Sequence, residues 1–263
     1  MNIIFQHNGS TFRVDISAPI DISIPLDFGR EQPNAFYLPR AEAVAAEGGD
    51  FIGDTRRGGS CNCETITLNP HGNGTHTECV GHLSLNRIHI NEALRDVFIP
   101  ALLLSLPLEP DENGTPCITR DHLLNALTRE AVSPDLPLES LIIRTLPNVL
   151  SKRHAEWSGH NPPYLSPDAA RLIRQQGVRH LLLDLPSLDR EEDPLLTSHR
   201  IFWELPEEGE VEGTPEEGRT ITEMIFVPDE IPDGWYVLNL QVPPFALDAA
   251  PSRPLLYRID SEK

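Results

Sequence analysis

The feature that most constrains the fold is a helix signal followed directly by an apolar strand signal, in residues 165–189 (LSPDAARLIRQQGVRHLLLDLPSLD). Ser166 is a typical N-cap residue, and Pro167 fits the first helical position, where no backbone N–H is needed. Gly177 is suited to end the helix, and residues 178–185 have the continuous apolar character of a buried strand. This unit predicts a domain in which helices pack beside a buried sheet.

Other segments predict mainly short strands. Residues 2–17 place Asn8-Gly9 between two β-prone runs, which predicts a hairpin with a type I′ turn. The remaining predicted elements are a helix over 120–130 capped by Thr119, a short helix around 40–46, and strands at 65–68, 100–106, 140–146, 235–242 and 254–260. No repeat or dividing linker interrupts the pattern, so we expect one α+β domain over 1–263.

Composition limits the classes of partner. A net charge of −19 argues against nucleic acid and anionic membrane surfaces, because both would be repelled. Residues 204–219 are rich in glutamate and predict an exposed acidic insertion, because such a stretch cannot bury enough apolar surface to order itself.

We find no signal-peptide pattern and no apolar run of the roughly 18–20 residues that a membrane span needs. Four cysteines are too few for a disulfide scaffold, so we expect a cytoplasmic location.

A histidine-rich loop, residues 70–84 (PHGNGTHTECVGHLS), is the strongest functional signal. His76 and Glu78 are two residues apart, so in an extended segment their side chains point to the same side. His71 precedes them across a glycine-containing stretch that can turn the backbone. Imidazole and carboxylate groups are common ligands of Zn²⁺ and Mn²⁺. The spacing indicates either a metal site or a polar surface loop with solvated histidines.

The same loop carries a resemblance to a known family. GTHTECVGH (74–82) resembles the G-T-H-x-D-x-P-x-H signature of the cyclase family of metal-dependent hydrolases, which includes bacterial kynurenine formamidases and isatin hydrolases. Residues 21–29 are similar to the family's opening D-x-S-x-P-L segment. Residues 162–189 resemble its helix and strand ending in D-x-x-S-x-D, and residues 232–259 its last two strands. The sequence departs from the family pattern in the five-residue spacing from His71 to His76, in Glu78 for Asp and in Val80 for Pro.

The resemblance implies a fold and an assembly. The fold would be a swivelling β/β/α-type single domain with a central mixed sheet or barrel flanked by helices. The family forms homodimers or homotetramers in which neighbouring subunits help to close the site, so we expect a homo-oligomer. The implied activity is hydrolysis of a C–N bond in a small amide, formamide or cyclic amide by metal-activated water.

The resemblance also implies site residues. His71, His76 and Glu78 would hold a Zn²⁺ or Mn²⁺ ion. His199 (in TSHRIFW) and Glu223 (in RTITEMIFVP) would hold a second ion, with the shared carboxylate as bridge, so that a subunit carries one or two ions. Acid/base catalysis would fall to His82, and Glu223 is grouped with the catalytic residues as well.

The residues also leave alternatives open. Trp157, His160 and Tyr164 lie in a proline-stiffened aromatic loop, which predicts either a substrate wall or simple packing. Cys79 could act as a nucleophile beside a histidine. Ser198-His199 invites a serine-hydrolase interpretation, although no G-x-S-x-G elbow is present. A metal site at Cys61 and Cys63 is a further alternative to structural thiols, and Asp184 and Asp189 are expected to shape a turn at a strand end.

Two alternative functions remain at this point. The departures at Glu78 and in the His71–His76 spacing suggest a non-catalytic protein that binds a metal or a small ligand on the same fold. A lyase or dehydratase that uses the metal as a Lewis acid is the other.

Overall fold

The computed structural model describes residues 1–7, 10–130, 136–212 and 218–260. In these ranges the strands are β1 (Asn2–His7), β2 (Ser10–Asp15), β3 (Ile20–Asp21), β4 (Glu42–Ala45), β5 (Glu47–Gly48), β6 (Phe51–Ile52), β7 (Glu64–Thr67), β8 (His76–Cys79), β9 (Phe98–Pro107), β10 (Glu109–Pro110), β11 (Pro116–Ile118), β12 (Ser140–Leu146), β13 (Tyr164–Leu165), β14 (His180–Leu183), β15 (Thr220–Glu223), β16 (Gly234–Asn239), β17 (Ala249–Pro251) and β18 (Leu255–Asp260). The helices are α1 (Ile90–Ala93), α2 (Arg120–Glu130), α3 (Pro167–Gln175) and α4 (Thr197–Phe202). Short 3₁₀ turns cover Thr55–Arg57, Val80–His82 and Leu150–His154.

A large mixed sheet organises the molecule. Within the described residues it has 11 strands in the order β1-β2-β18-β16-β9-β12-β14-β15-β8-β17, with β3 beside β18. The central strands β9, β12, β14 and β15 run parallel, and the strands on either side of them pair antiparallel. This arrangement, with few helices, confirms the predicted α+β class with a central mixed sheet flanked by helices.

The sheet is buried on both faces at its centre. Successive side chains of a strand point to opposite faces, so a doubly covered strand must be apolar throughout. In β9, Leu102 and Leu104 belong to the cluster that includes residues of α2 and α3, whereas Ala101 and Leu103 belong to a second cluster on the other face. The apolar runs of the sequence therefore correspond to strands held from two sides, and they form a rigid base for the site at the β15–β8–β17 edge.

Most of the local predictions are confirmed. The Ser166 hydroxyl accepts a hydrogen bond from the Ala169 backbone N–H at 3.3 Å, and Gly177 follows the helix with a φ of 81°. The strand predicted at 140–146 coincides with β12, and the helix predicted at 120–130 coincides with α2. β1 and β2 pair as the expected hairpin, while its Asn8-Gly9 turn lies outside the described residues.

The short helix predicted around 40–46 is wrong. This segment contains β4, which pairs antiparallel with β7. A helix of so few residues has little stability of its own, whereas the ladder to β7 satisfies the backbone groups of β4. The two strands form a surface arm on which Val44 is 59% and Ile66 is 54% exposed.

The acidic stretch 204–219 is described except for residues 213–217. Glu207, Glu208 and Glu210 are exposed, as predicted. Val211 is an exception because it is buried, and its carbonyl accepts a hydrogen bond from the Leu85 backbone N–H at 2.9 Å. Among the described helices, none has the length and apolar character required to cross a membrane.

His180 in β14 predicts a pH dependence of stability. Its ring is buried, and burial together with the Arg179 guanidinium lowers its pKa to about 4, although Asp96 acts in the opposite direction. The unfolded chain takes up a proton near pH 6.5 and the folded chain only near pH 4, so stability is lost as the pH falls through this window, by up to about 3 kcal/mol. We expect the free energy of unfolding, measured with urea at pH 7 and pH 4.5, to fall less in His180→Asn than in the wild type.

The exposed His154 provides the matched control. In His154→Asn, the free energy of unfolding should fall between pH 7 and pH 4.5 by as much as it does in the wild type. If the free energy of unfolding falls equally in His180→Asn and in the wild type, the pH dependence does not come from His180.

Candidate metal centre

Strand β8 brings two predicted ligands to one face of the sheet edge. His76 and Glu78 alternate with Thr77 and therefore point to the same side. In the antiparallel ladder with β15, Glu223 lies directly opposite His76, so its carboxylate shares that face. The distance between His76 Nε2 and Glu223 Oε2 is 3.3 Å. All three side chains are buried.

His71 reaches the same place from a tight turn. The Asn69 side chain accepts a hydrogen bond from the His71 backbone N–H at 3.0 Å, and the Asn73 side chain accepts one from the Asn69 backbone N–H at 2.7 Å. Gly74 follows with a φ of 94°, a conformation that favours glycine. His71 Nδ1 lies 3.0 Å from Glu78 Oε2. The turn therefore accommodates the extra residue between His71 and His76.

His199 comes from helix α4. Its Nε2 lies 3.1 Å from Glu78 Oε1 and 3.5 Å from Glu223 Oε1. Its other ring nitrogen, Nδ1, donates to Asp189 Oδ2 at 2.6 Å, and Asp189 also accepts the backbone N–H groups of Ser198 and His199. Asp189 thus fixes the start of the helix and the orientation of the imidazole together.

The donor set fits a divalent ion. His76 Nε2 is buried and makes no hydrogen bond with any residue that the structure describes, although it faces the carboxylates. A buried polar atom without a hydrogen bond is costly, and this one lies 3.3 Å from Glu223 Oε2, so an ion bound by both groups would satisfy them together. The ligand atoms of His71, His76 and Glu78 lie within 4.8 Å of one another, as do those of Glu78, His199 and Glu223. Mixed imidazole and carboxylate sites suit Zn²⁺ or Mn²⁺.

The electrostatics of the centre are dominated by these pairs. Burial disfavours the Glu78 carboxylate, yet the neighbouring histidines, led by His82, hold its pKa well below the usual range. Burial also disfavours the His199 imidazolium, yet hydrogen bonds, led by that to Asp189, hold its pKa well above the usual range. His71 is partly buried, which disfavours its imidazolium, yet contacts with two carboxylates raise its pKa to about 10. A metal ion would replace these protons as the counter-charge of the carboxylates.

One member of the cluster, Asp248, was not predicted from the sequence. Its Oδ2 lies 2.8 Å from His71 Nε2 and 3.3 Å from His82 Nδ1. The two histidine rings stack with their centroids 4.3 Å apart. Together these three residues form a further group whose ligand atoms lie within 4.8 Å of one another. The predicted acid/base residue is thus beside the predicted ligands.

Left-handed backbone conformations flank the ligands. Leu196, three residues before His199, has a φ of 52°, and Met224, directly after Glu223, also has a φ of 52°. Phe36, which lines the adjoining cavity, has a φ of 61°. Such conformations cost of order 1–3 kcal/mol each in residues with a side chain and often cluster at functional sites.

A cavity of about 230 Å³ opens over the centre. Its lining combines four of the predicted ligands with two apolar side chains, Phe36 and Leu196. Trp157, a predicted substrate-wall residue, lines a second, small cavity that adjoins the first, since Phe36 and Ser187 line both. Trp157 is therefore close to the site without lining the main cavity.

The other two predicted wall residues make their contacts elsewhere. The Tyr164 hydroxyl donates to Asp111 at 2.9 Å, and its ring is buried. His160 is exposed, and its Nδ1 pairs with the Ser158 backbone oxygen at 2.9 Å. A substrate role for either residue stays a prediction.

The structure gives little support to the nucleophile alternatives. Cys79 is buried, and burial raises its pKa to about 12, so its sulfur remains a thiol at neutral pH. The Ser198 hydroxyl donates to the Leu165 carbonyl at 2.8 Å. Cys61 and Cys63 are exposed free thiols that, in the part of the chain described, join no group of metal-ligating side chains.

Comparisons with known proteins agree with this architecture. Isatin hydrolase A from Ralstonia solanacearum has a TM-score of 0.63 at 14% identity, covering 91% of each chain. Isatin hydrolase A from Labrenzia aggregata, bound to benzyl benzoate, has a TM-score of 0.62 at 15% identity, covering 91% of this chain and 93% of that one. A predicted metal-dependent hydrolase from Bacillus stearothermophilus has a TM-score of 0.59 at 16% identity, covering 91% of this chain and 98% of that one.

At these identities the structural matches show a shared fold. The family model described as "Putative cyclase" matches residues 14–190, which is more than half of the chain. The match includes the histidine-rich loop and the helix–strand unit on which the sequence resemblance rests. The chain therefore belongs to the putative cyclase family.

Proposed function

We propose that this chain is a metal-dependent hydrolase that cleaves the C–N bond of a small amide, formamide or cyclic amide. The observation that carries the proposal is the buried Nε2 of His76, which makes no hydrogen bond with the described residues and faces carboxylates and histidines that line a cavity. The fold shared with proteins named as isatin hydrolases and metal-dependent hydrolases supports the same reaction class.

The ligands divide into two overlapping sets. His71, His76 and Glu78 would hold one ion, and His199 and Glu223 would hold a second, with Glu78 shared between them. Zn²⁺ and Mn²⁺ both suit these donors. When bound, such an ion lowers the pKa of a coordinated water toward ~7 and polarises a carbonyl oxygen.

The residues of the chain supply the remaining requirements. Leu188 donates its backbone N–H to Glu223 Oε1 at 3.1 Å and so fixes that carboxylate. The Asp189 carboxylate accepts a hydrogen bond from His199 Nδ1 and so fixes that imidazole. His82 lines the cavity, and we assign to it the proton transfer to the leaving nitrogen, because an amine is a poor leaving group unless it is protonated. Phe36 and Leu196 provide the apolar part of the substrate surface.

The experiment is a substrate panel with metal-loaded protein. Formamides, lactams, cyclic imides and lactones are incubated with protein reconstituted with Zn²⁺ or Mn²⁺, and products are identified by mass spectrometry. We expect hydrolysis of at least one C–N substrate, its loss after chelation, and its return when metal is added back. Bound metal without turnover would favour a binding protein, and a product lacking the added water would favour a lyase.

Assembly and location are part of the proposal. The surface arm of β4 and β7 exposes Val44 and Ile66, which supports a homodimer or homotetramer that covers them. Four free cysteines suit a reducing compartment, which supports the cytoplasm. We further propose a small molecule as the partner, since the acidic chain is unsuited to nucleic acid.

A further inference from the structure

Asp248 is neither a proposed metal ligand nor the proposed proton donor, yet one of its oxygens contacts two histidines of the site. Oδ2 lies 2.8 Å from His71 Nε2 and 3.3 Å from His82 Nδ1. His71 is a proposed ligand, and His82 is the proposed proton donor. A single carboxylate oxygen therefore links the two functions of the centre.

The backbone holds Asp248 firmly in this place. It directly precedes β17, and its carbonyl accepts a hydrogen bond from the Cys79 backbone N–H at 3.0 Å, at the end of β8. Gly81 allows the close approach, since a Cβ on it would lie 3.2 Å from the Asp248 Cβ and 2.0 Å from the Ile88 carbonyl oxygen. The carboxylate is thus placed by strand pairing rather than by a flexible loop.

The contacts also determine where the ring protons lie. An ionised carboxylate only accepts hydrogen bonds, so the proton of each contact must be on His71 Nε2 and on His82 Nδ1. The other proposed histidine ligands follow the same pattern, since His76 Nδ1 contacts the Gly74 carbonyl and His199 Nδ1 contacts a carboxylate. Outer hydrogen bonds of this kind fix the tautomer and the ring orientation of a metal ligand.

We propose that Asp248 is a positioning residue shared by a metal ligand and the proton donor. It holds His71 with Nδ1 directed at the centre, and it holds His82 in the tautomer that leaves Nε2 for proton exchange. The second part rests on the proposed function, because it assumes that His82 transfers a proton. The orientation of the two rings does not depend on that assumption.

A double-mutant cycle tests the link to His82. Wild type, Asp248→Asn, His82→Ala and the double variant are compared for kcat at saturating metal, on a substrate identified in the panel. We expect Asp248→Asn alone to lower kcat by about 10–100-fold. In the His82→Ala background it should cost no more than about twofold, because saturating metal offsets its effect on His71 and the other group through which it acts is gone. Equal fold-losses in both backgrounds would overturn the proposal.

A second measurement is independent of turnover. Proteins labelled with ¹⁵N-histidine and loaded with Zn²⁺ are examined by long-range ¹H–¹⁵N NMR, which distinguishes histidine tautomers. We expect His82 to carry its proton on Nδ1 in the wild type and to lose this preference in Asp248→Asn. The matched variant Asp189→Asn should alter the His199 signals and leave those of His82 in place.

The outcomes separate this inference from the proposed function. If no substrate is hydrolysed, the proposed function fails and the NMR result still decides the role of Asp248. An unchanged His82 tautomer in Asp248→Asn would overturn that role. Thermal melting checks the fold of each variant, and Asp248→Ser, which removes the carboxylate without adding bulk, takes the place of an Asn variant that does not fold.

Discussion

His76→Ala is expected to abolish stable metal binding and to lower amide hydrolysis by on the order of 10³-fold or more, since a bound ion contributes several kcal/mol to the transition state. The His76 ring is completely buried, and its Nε2 has no hydrogen-bond partner among the described residues. A metal ion bound at Nε2 would satisfy this buried polar atom. Elemental analysis after dialysis and kcat/KM at fixed metal concentration measure the two losses.

Thermal melting gives a separate test of the same residue. Added Zn²⁺ or Mn²⁺ should raise the Tm of the wild type, because a ligand that binds only the folded state stabilises it. The Tm of His76→Ala should not respond to metal. The exposed His154→Ala is the control and should behave as wild type. Retention of both the metal and full activity in His76→Ala would show that the site is wrongly assigned.

His82→Ala is expected to keep the metal and to lose about 10²–10⁴-fold in kcat for amides. The expectation follows from its position, because His82 lines the cavity and its Nδ1 lies 3.9 Å from Oε2 of Glu78, a proposed ligand. This distance is longer than the 3.0 Å between His71 Nδ1 and the same Glu78 oxygen, so His82 lies beside the proposed ligands. Metal content and steady-state kinetics on the same preparation measure both properties.

The leaving group supplies the control for His82. An activated aryl ester expels an anion that needs no proton, so its hydrolysis should fall much less in His82→Ala than that of the matched amide. Equal losses for ester and amide would indicate a role in binding or in folding. Loss of the metal itself would place His82 among the ligands.

Several parts of the fold were predictable because their signals are local. Residues 140–146 are apolar and end in turn residues, and they form β12 with the predicted bounds. Ser166, Pro167 and Gly177 are start and stop signals that act within one helical turn. The helix prediction for 40–46 was wrong for the opposite reason. The structure of this segment depends on pairing with β7, which lies about twenty residues further along the chain.

The site residues also divide into those with a local sequence signal and one without it. His71, His76, Glu78 and His82 lie in one loop and could be grouped by spacing, and the family resemblance added His199 and Glu223. Asp248 carried no local signal, because its neighbour Ala249 meets Glu78 only through the register of β17 against β8.

Asp184 and Asp189 were expected to shape a turn, but their structural roles are more specific. Asp184 is buried and accepts a hydrogen bond from Lys152 Nζ at 2.8 Å. Burial raises its pKa even though the ammonium of Lys152 opposes this. Asp189 instead orients His199. Which of two nearby carboxylates serves the site depends on the direction of the chain after β14, which spacing in the sequence does not reveal.

The pairing of β17 with β8 also sets when the centre can be completed during synthesis. Asp248 follows His82 by 166 residues. At roughly 5–20 residues per second, the histidine loop is synthesised about 8–30 seconds before this carboxylate. During that interval the loop lacks the strand that closes its edge. The proposed ligands are therefore all made once Glu223 is added, whereas the orientation of His71 and His82 by Asp248 must wait until β17 has paired with β8.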